Sequence, residues 1–306
     1  MSATSKLSNK NRDDIKKLVL AKLDQTEDAL NQEVEGLKTW LRKQRNVPEI
    51  PPDAVIENFV ILNKFNVKKV KDKLKMYYQI RWDIPEFYVN KNPKLTHMKS
   101  IAETVCWVPL PELTPQANRV IMMKFLNADP SIFNIWDFIA YSYNIAEVRL
   151  REDVATSDVF IYDFDGITFS HYMKISPDCL RKASIVLERV YSSRVAGIHY
   201  LNLPTSLEVL IKFVKVMLKE KLRKRICIHK TVETLYEHVP KESLPEEYGG
   251  KGLSLLVLHG LWLKKMEEYQ DVFDHLEQIA INGKPNKPID AETEAPVRHF
   301  NQLAID

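Results

Sequence analysis

Between Asp13 and Leu41 the apolar residues recur at helical steps: Ile15, Leu18, Val19 and Leu23, then Leu30, Val34, Leu37 and Leu41. Steps of three and four place them on one stripe of a 3.6-residue helix, so the pattern predicts two amphipathic helices. Pro48, Pro51 and Pro52 interrupt the run. A shorter helix is expected from Asp53 to Leu62, and Val67, Val70, Leu74, Tyr77 and Tyr78 trace another. Residues 13–95 therefore read as an all-helical domain, preceded by a flexible polar stretch over residues 1–12.

The period changes after Pro93. Val120–Phe125, Val159–Phe164, Gly197–Leu201 and Arg225–His229 are short runs rich in β-branched and aromatic residues, with helical patterns between them at 137–150, 177–191 and 205–221. Strands alternating with helices predict a largely parallel sheet, hence an α/β fold for residues 96–252. The 205–221 helix is strongly amphipathic: Leu207, Leu210, Ile211, Val214 and Leu218 share one face, and Lys212, Lys215 and Lys219 the other. Residues 253–306 read as a C-terminal helix and a loosely packed tail, because Pro285, Pro288 and Pro296 lie among polar residues beyond Gly283.

With 306 residues, 45% of them hydrophobic, the chain can bury a core without disulfides or metal. Its net charge of +3 is too small for a general polyanion binder, so any basic function must be local. The local excess lies in Ile211–Lys230, where eight Lys or Arg face a single acid, Glu220. Such a run is ordinarily a solvated helix face. Here the opposite face is apolar, which suits an anionic membrane surface equally well. No aromatic interleaving accompanies the charge, so nucleic acid is not an expected partner.

Only 8 glycines occur where average usage would give about 21. Neither the G-x-G-x-x-G turn nor the P-loop is present, which argues against phosphate-cradling chemistry. Cys106, Cys179 and Cys227 are far apart and odd in number, pointing to a reducing, cytoplasmic setting. Met1–Arg12 has no apolar signal region, and the apolar stretch Leu253–Leu263 is shorter than the roughly 18 residues of a membrane span. No nucleophile elbow, metalloprotease motif or metal-ligand pair is visible, so no enzyme, cofactor or metal is expected. The closest histidines, His229 and His238, lack helix-face spacing for one metal; His199 and His229 fall in strands, where a hydrogen-bonded core histidine is the simpler reading. Asp163 and Asp165 share a strand face and could pass for paired carboxylates, but Asp followed by Gly166 at a strand end reads better as an exit turn.

Four ordered segments resemble the CRAL-TRIO family of lipid-binding proteins, which includes tocopherol and retinaldehyde carriers. Val159–His171 is similar to its strand-Asp-x-x-Gly-x-x-x-Ser-His signature. Arg194, Gly197-Ile198-His199-Tyr200-Leu201-Asn202 and Pro204 follow its R-x-x-x-I-H-F-I-N-x-P stretch, and Leu244-Pro245-Glu246-Glu247-Tyr248-Gly249-Gly250 its closing L-P-x-E-Y-G-G. Phe59–Asn66 occupies the place of F-L-R-A-R-K-F-D, with Ile61 and Asn63 where that motif has arginines. The resemblance spans roughly Asp53 to Gly250.

The resemblance implies a helical N-terminal domain followed by a mixed α/β domain, whose sheet floors an apolar lipid cavity closed by an amphipathic helical lid. The 205–222 helix stands in the lid position. The cavity residues it implies are Ala140, Asn144, Tyr162, Ile175, Val186, Leu187 and Ile198, with Leu210, Phe213 and Val214 on the lid. Arg194, Lys221 and Arg225 match positions that bind a phosphoinositide headgroup; if helix continues between them, Lys221 and Arg225 share a face. Ser193 and Leu222 replace a Glu and a Thr that serve inositol in phosphatidylinositol-carrying members. The expectation is therefore a cytoplasmic, transiently membrane-associated carrier of a small lipophilic ligand of tocopherol, retinoid or carotenoid type, released at phosphoinositide-containing membranes. The alternative is a phospholipid exchanger or a lipid-gated signalling adaptor.

Overall fold

The computed structural model describes residues 12–191, 194–205, 207–208, 211–212, 215 and 220–283. Its N-terminal part is helical: α1 (Arg12–Lys22), α2 (Glu27–Leu41), α3 (Asp53–Leu62), α4 (Val67–Asp83) and α5 (Thr96–Thr104). Local chemistry sets the starts. Thr26 and Asn66 cap α2 and α4 by accepting from the Ala29 and Lys69 N–H groups, each at 3.1 Å. The stripe expected on the first two helices is buried at Ile15, Val19, Leu30, Val34, Leu37 and Leu41, while Leu18 stays exposed.

Five strands form one sheet in chain order: β1 (Val105–Leu113), β2 (Asn118–Phe125), β3 (Ser157–Asp163), β4 (Val195–Leu201) and β5 (Ile226–His229). β2 to β5 are parallel, as the alternation of elements predicts, and β1 adds to β2 antiparallel. β1 was not expected. It carries Pro109 and Pro111, which lack an N–H for a ladder and are tolerated because β1 is an edge strand.

Between the parallel strands lie α6 (Ile135–Glu152), then α7 (Phe169–Met173) and α8 (Pro177–Val186), then the 205–223 segment ending in α9 (Glu220–Arg223). Each crossover steps to the next strand in the same direction, so right-handed connections put all of them on one face of the sheet. Phe138 of α6 accordingly meets Trp107 of β1 edge-on, with centroids 5.6 Å apart. Residues 232–248 cover the opposite face, while α10 (Leu255–Glu268) lies along β1 and binds it through Trp262 Nε1 to the Pro109 carbonyl at 3.0 Å. α11 (Gln270–Asn282) returns to the helical part, where Trp82 Nε1 donates to the Ile279 carbonyl at 2.7 Å.

The helical part and the sheet domain share a buried polar seam. Arg81 pairs with Glu147 of α6, whose carboxylate also accepts from Tyr77 at 2.7 Å and Tyr191 at 2.8 Å. Asn58 Nδ2 donates to the carbonyls of Arg149, Leu150 and Asp153 at the C-terminal end of α6. Every charge in this seam has a partner, the condition under which a buried ion is tolerable.

Candidate functional site

The helix-covered face of the sheet is buried on one side and only partly covered on the other. On β1 and β2 its residues Trp107, Ile121, Met123 and Phe125 are buried. On β3 and β4 the same face presents Phe160, Tyr162, Ala196, Ile198 and Tyr200, all half-buried, whereas the intervening Ile161, Asp163, Gly197 and His199 are buried beneath the other face. Alternation along a strand produces this split. The rings form a continuous floor: Trp107 to Phe160 and to Tyr162 at 5.9 Å each, Tyr162 to Tyr200 at 5.5 Å, and Tyr200 to Phe164 at 5.6 Å. Burial pushes the Tyr200 phenol up to about 12, and burial together with Tyr200 raises that of Tyr162, so both hydroxyls are neutral at physiological pH. The floor therefore offers broad apolar area and a few uncharged polar atoms.

The 205–222 segment follows β4 on the crossover to β5. Its described residues Thr205, Leu207, Glu208, Ile211, Lys212 and Lys215 are helical. Leu207 is buried, Ile211 half-buried, and Lys215 Nζ donates to the Ile226 carbonyl at 2.5 Å, so the series at steps of four faces the protein. Glu208 and Lys212 pair at 2.6 Å, with the lysine outward. The segment leaves β4 at the strand end from which α7 also leaves β3. There Phe169 and Met173 of α7 are 64% and 66% exposed, a high value for two large apolar side chains on one short helix.

At the other end of β4 lie basic residues. Arg225 Nη1 donates to the Val195 carbonyl, the Arg194 carbonyl accepts from the Asp158 N–H at 2.8 Å, and Lys221 is exposed on α9. α9 ends at Arg223, so Lys221 and Arg225 do not share a helix face: the chain has already turned into β5.

A family model for the CRAL/TRIO domain matches residues 107–250, and one for the Pinta-like UBA domain matches residues 26–98. The chain carries a CRAL/TRIO domain. Among curated proteins, human alpha-tocopherol transfer protein-like is 25% identical over 71% of this chain and 64% of its own length. The match therefore spans less than two thirds of that relative. Human clavesin-2 is 22% identical over 93% of this chain and 88% of its own. Among solved structures, that of Sfh5 aligns over 80% of this chain and 99% of its own, at 16% identity and a TM-score of 0.47.

Within the CRAL/TRIO domain, Tyr162 and Ile198 lie on the aromatic floor. Ile175 is half-buried after α7; Val186 is fully buried at the end of α8, and Leu187 half-buried at the start of a π turn over Leu187–Tyr191. Ala140 and Asn144 depart from the expectation. Asn144 Nδ2 donates to the Lys91 carbonyl at 2.9 Å, and Ala140, one turn earlier on the same side, is wholly buried. The face of α6 that holds them turns toward the helical part, while Phe138 occupies the face toward the sheet. Leu210, Phe213 and Val214 lie outside the described residues. Phe160, Phe164 and Tyr200 escaped the sequence reading, although their period-two spacing from Tyr162 and Ile198 marks them.

Asp163 and Asp165 are not a catalytic pair. Asp163 accepts from Tyr248 Oη at 2.6 Å, Asn202 Nδ2 at 2.8 Å, Lys124 Nζ at 2.9 Å and the Asp165 N–H at 3.1 Å, which is the expected exit turn. Gly166 completes it with φ +81°, a conformation suited to a residue without a side chain. In Phe59–Asn66, Ile61 is buried and Asn63 Nδ2 donates to the Phe59 carbonyl at 2.8 Å, so neither residue is placed to receive phosphate.

Proposed function

We propose that this chain carries a small hydrophobic ligand of the tocopherol, retinoid or carotenoid type, held between the aromatic floor of its CRAL/TRIO domain and the 205–222 segment. The observation that supports the reading is the half-buried row Phe160, Tyr162, Ile198 and Tyr200 on one face of the sheet, for which the 205–222 segment would be the roof. Enclosing a ligand there is favourable by about 25 cal/mol per Å² of apolar surface removed from water. The broad rings match an isoprenoid or conjugated chain, and the two neutral phenols can orient one polar end. The similarity to alpha-tocopherol transfer protein-like supports this ligand class.

Release takes place at a membrane displaying phosphoinositide or other anionic lipid. Phe169 and Met173 enter the interface beside the start of the roof, and Lys221, with Arg194 and Arg225 nearby at the other end of β4, forms a separate basic contact for the headgroups. The working place is the cytoplasm, with transient membrane contact. No catalytic step is needed, and none of the described residues forms a nucleophile–base pair in this site.

The test is mass spectrometry of lipids extracted from the purified protein after incubation with a total lipid extract. Enrichment of an isoprenoid supports the carrier. Enrichment of phosphatidylinositol, or of nothing, overturns it in favour of an exchanger or adaptor.

A further inference from the structure

The opposite face of the sheet holds a second site. His199 of β4 pairs in register with Cys227 of β5, and His229 stands two residues further along the same face. One ligand atom from each, two imidazole nitrogens and a thiol sulfur, lie within 4.8 Å of one another. His199 Nδ1 and His229 Nε2 are 2.9 Å apart. The ring of His238, arriving on the 232–238 turn, has its centroid 5.1 Å from that of His199 and 5.6 Å from that of His229.

We propose that His199, Cys227 and His229 bind a zinc ion, with His238 closing the coordination sphere. Zinc takes nitrogen and thiolate ligands tetrahedrally at about 2.0–2.3 Å, which sets ligand atoms roughly 3.3–3.7 Å apart, so the cluster needs shifts of about 1 Å or less. Its outer shell is built. The Thr234 hydroxyl donates to the Thr231 carbonyl at 2.9 Å, so its oxygen accepts from His229 Nδ1–H, also at 2.9 Å. This fixes the tautomer and leaves Nε2 of His229 as a lone pair aimed into the cluster. His238 is exposed and stands beside the buried pair.

The proton balance is simple. In the metal-free protein His199 Nδ1–H donates to His229 Nε2. On binding, His199 moves that proton to its own Nε2, Cys227 loses its thiol proton to solvent, and one proton is released per ion. The ion would tie edge strand β5 to β4 one residue from Ile226, whose carbonyl receives Lys215 of the roof.

Full-length protein, stripped with a chelator, is titrated with cobalt(II) and then zinc(II). The expected result is one equivalent of cobalt with tetrahedral d–d bands and a thiolate charge-transfer band, displaced by zinc. Cys227→Ser, at a half-exposed position, removes the charge-transfer band, and His238→Ala, at an exposed one, weakens affinity about tenfold or more; circular dichroism checks that both fold. Cys106 and Cys179 are buried and cannot replace Cys227. Absence of cobalt binding, or a charge-transfer band that survives Cys227→Ser, overturns the proposal.

Discussion

The two faces of the central sheet are built on opposite terms. One carries aromatic rings that stack on one another and keep accessible surface; the other carries Asp163, His199 and His229, each buried and each hydrogen-bonded. Residues 232–248 seal the second face, with Leu235, Val239 and Leu244 fully buried. The covering of the first includes a segment whose described residues bury one side only. Anchoring a sheet through one face leaves the other free to exchange its occupant without loss of the fold. Stability and ligand binding are thereby assigned to different side chains of the same strands.

The sharpest way to break this comparison is Asp163→Ala. It deprives Tyr248, Asn202 and Lys124 of their acceptor and releases the closing segment from the sheet. Loss of a buried charged acceptor should cost about 3 kcal/mol, read as a lower urea midpoint. Tyr162→Ala, on the half-exposed face two strand positions from Phe160, should cost clearly less in the ligand-free protein. Equal losses would mean that the floor is as much a structural core as the sealed face.

The same carboxylate gives a pH signature. Burial opposes its charge, but Tyr248, Asn202, Lys124 and the Asp165 N–H together outweigh burial and hold the Asp163 carboxyl below its ordinary value. Its folded value lies below its unfolded one, so its contribution is full above the unfolded pKa of about 4 and is lost as pH falls through the folded value. Asp153, held low against burial by Arg119 and Arg149, acts in the same direction. Stability should therefore fall below about pH 4, and Asp163→Asn should flatten that part of the curve. A slope unchanged by Asp163→Asn would assign the acid sensitivity elsewhere.

What the chain alone reveals follows from where each signal resides. The helices are legible because apolar steps such as Leu30, Val34, Leu37 and Leu41 report one local period. The parallel strands are legible from β-rich runs. β1 is hidden because Pro109 and Pro111 look like breakers until an edge position is known. Asn144 was misplaced because a helix between a sheet and a helical domain has two buried faces, and composition does not say which is which; its bond to Lys91 does. The His199–Cys227–His229 cluster is invisible in spacing because its members meet only through the register of β4 and β5.

On the ligand side, Tyr162→Ala should shorten retention of the bound lipid about tenfold in a transfer assay, since the ring touches Trp107, Phe160, Phe164 and Tyr200 and its loss opens the centre of the floor. Retention unchanged by that truncation would place the ligand off this face.

The smallest expected effect concerns Lys221. It is exposed on α9, away from the floor, so its charge bears on the membrane and not on the cavity. One lysine near an anionic surface contributes about 1 kcal/mol, so Lys221→Ala should reduce binding to phosphoinositide-containing vesicles about fivefold, less at high salt, with lipid uptake unchanged. Arg225→Ala is a poorer probe of the same idea. Its guanidinium also holds the Val195 carbonyl at the start of β4, so its loss disturbs the floor as well as the charge. Equal loss of uptake and vesicle binding in Lys221→Ala would show that the basic edge and the aromatic floor act as one site, and the separation of docking from holding would fail.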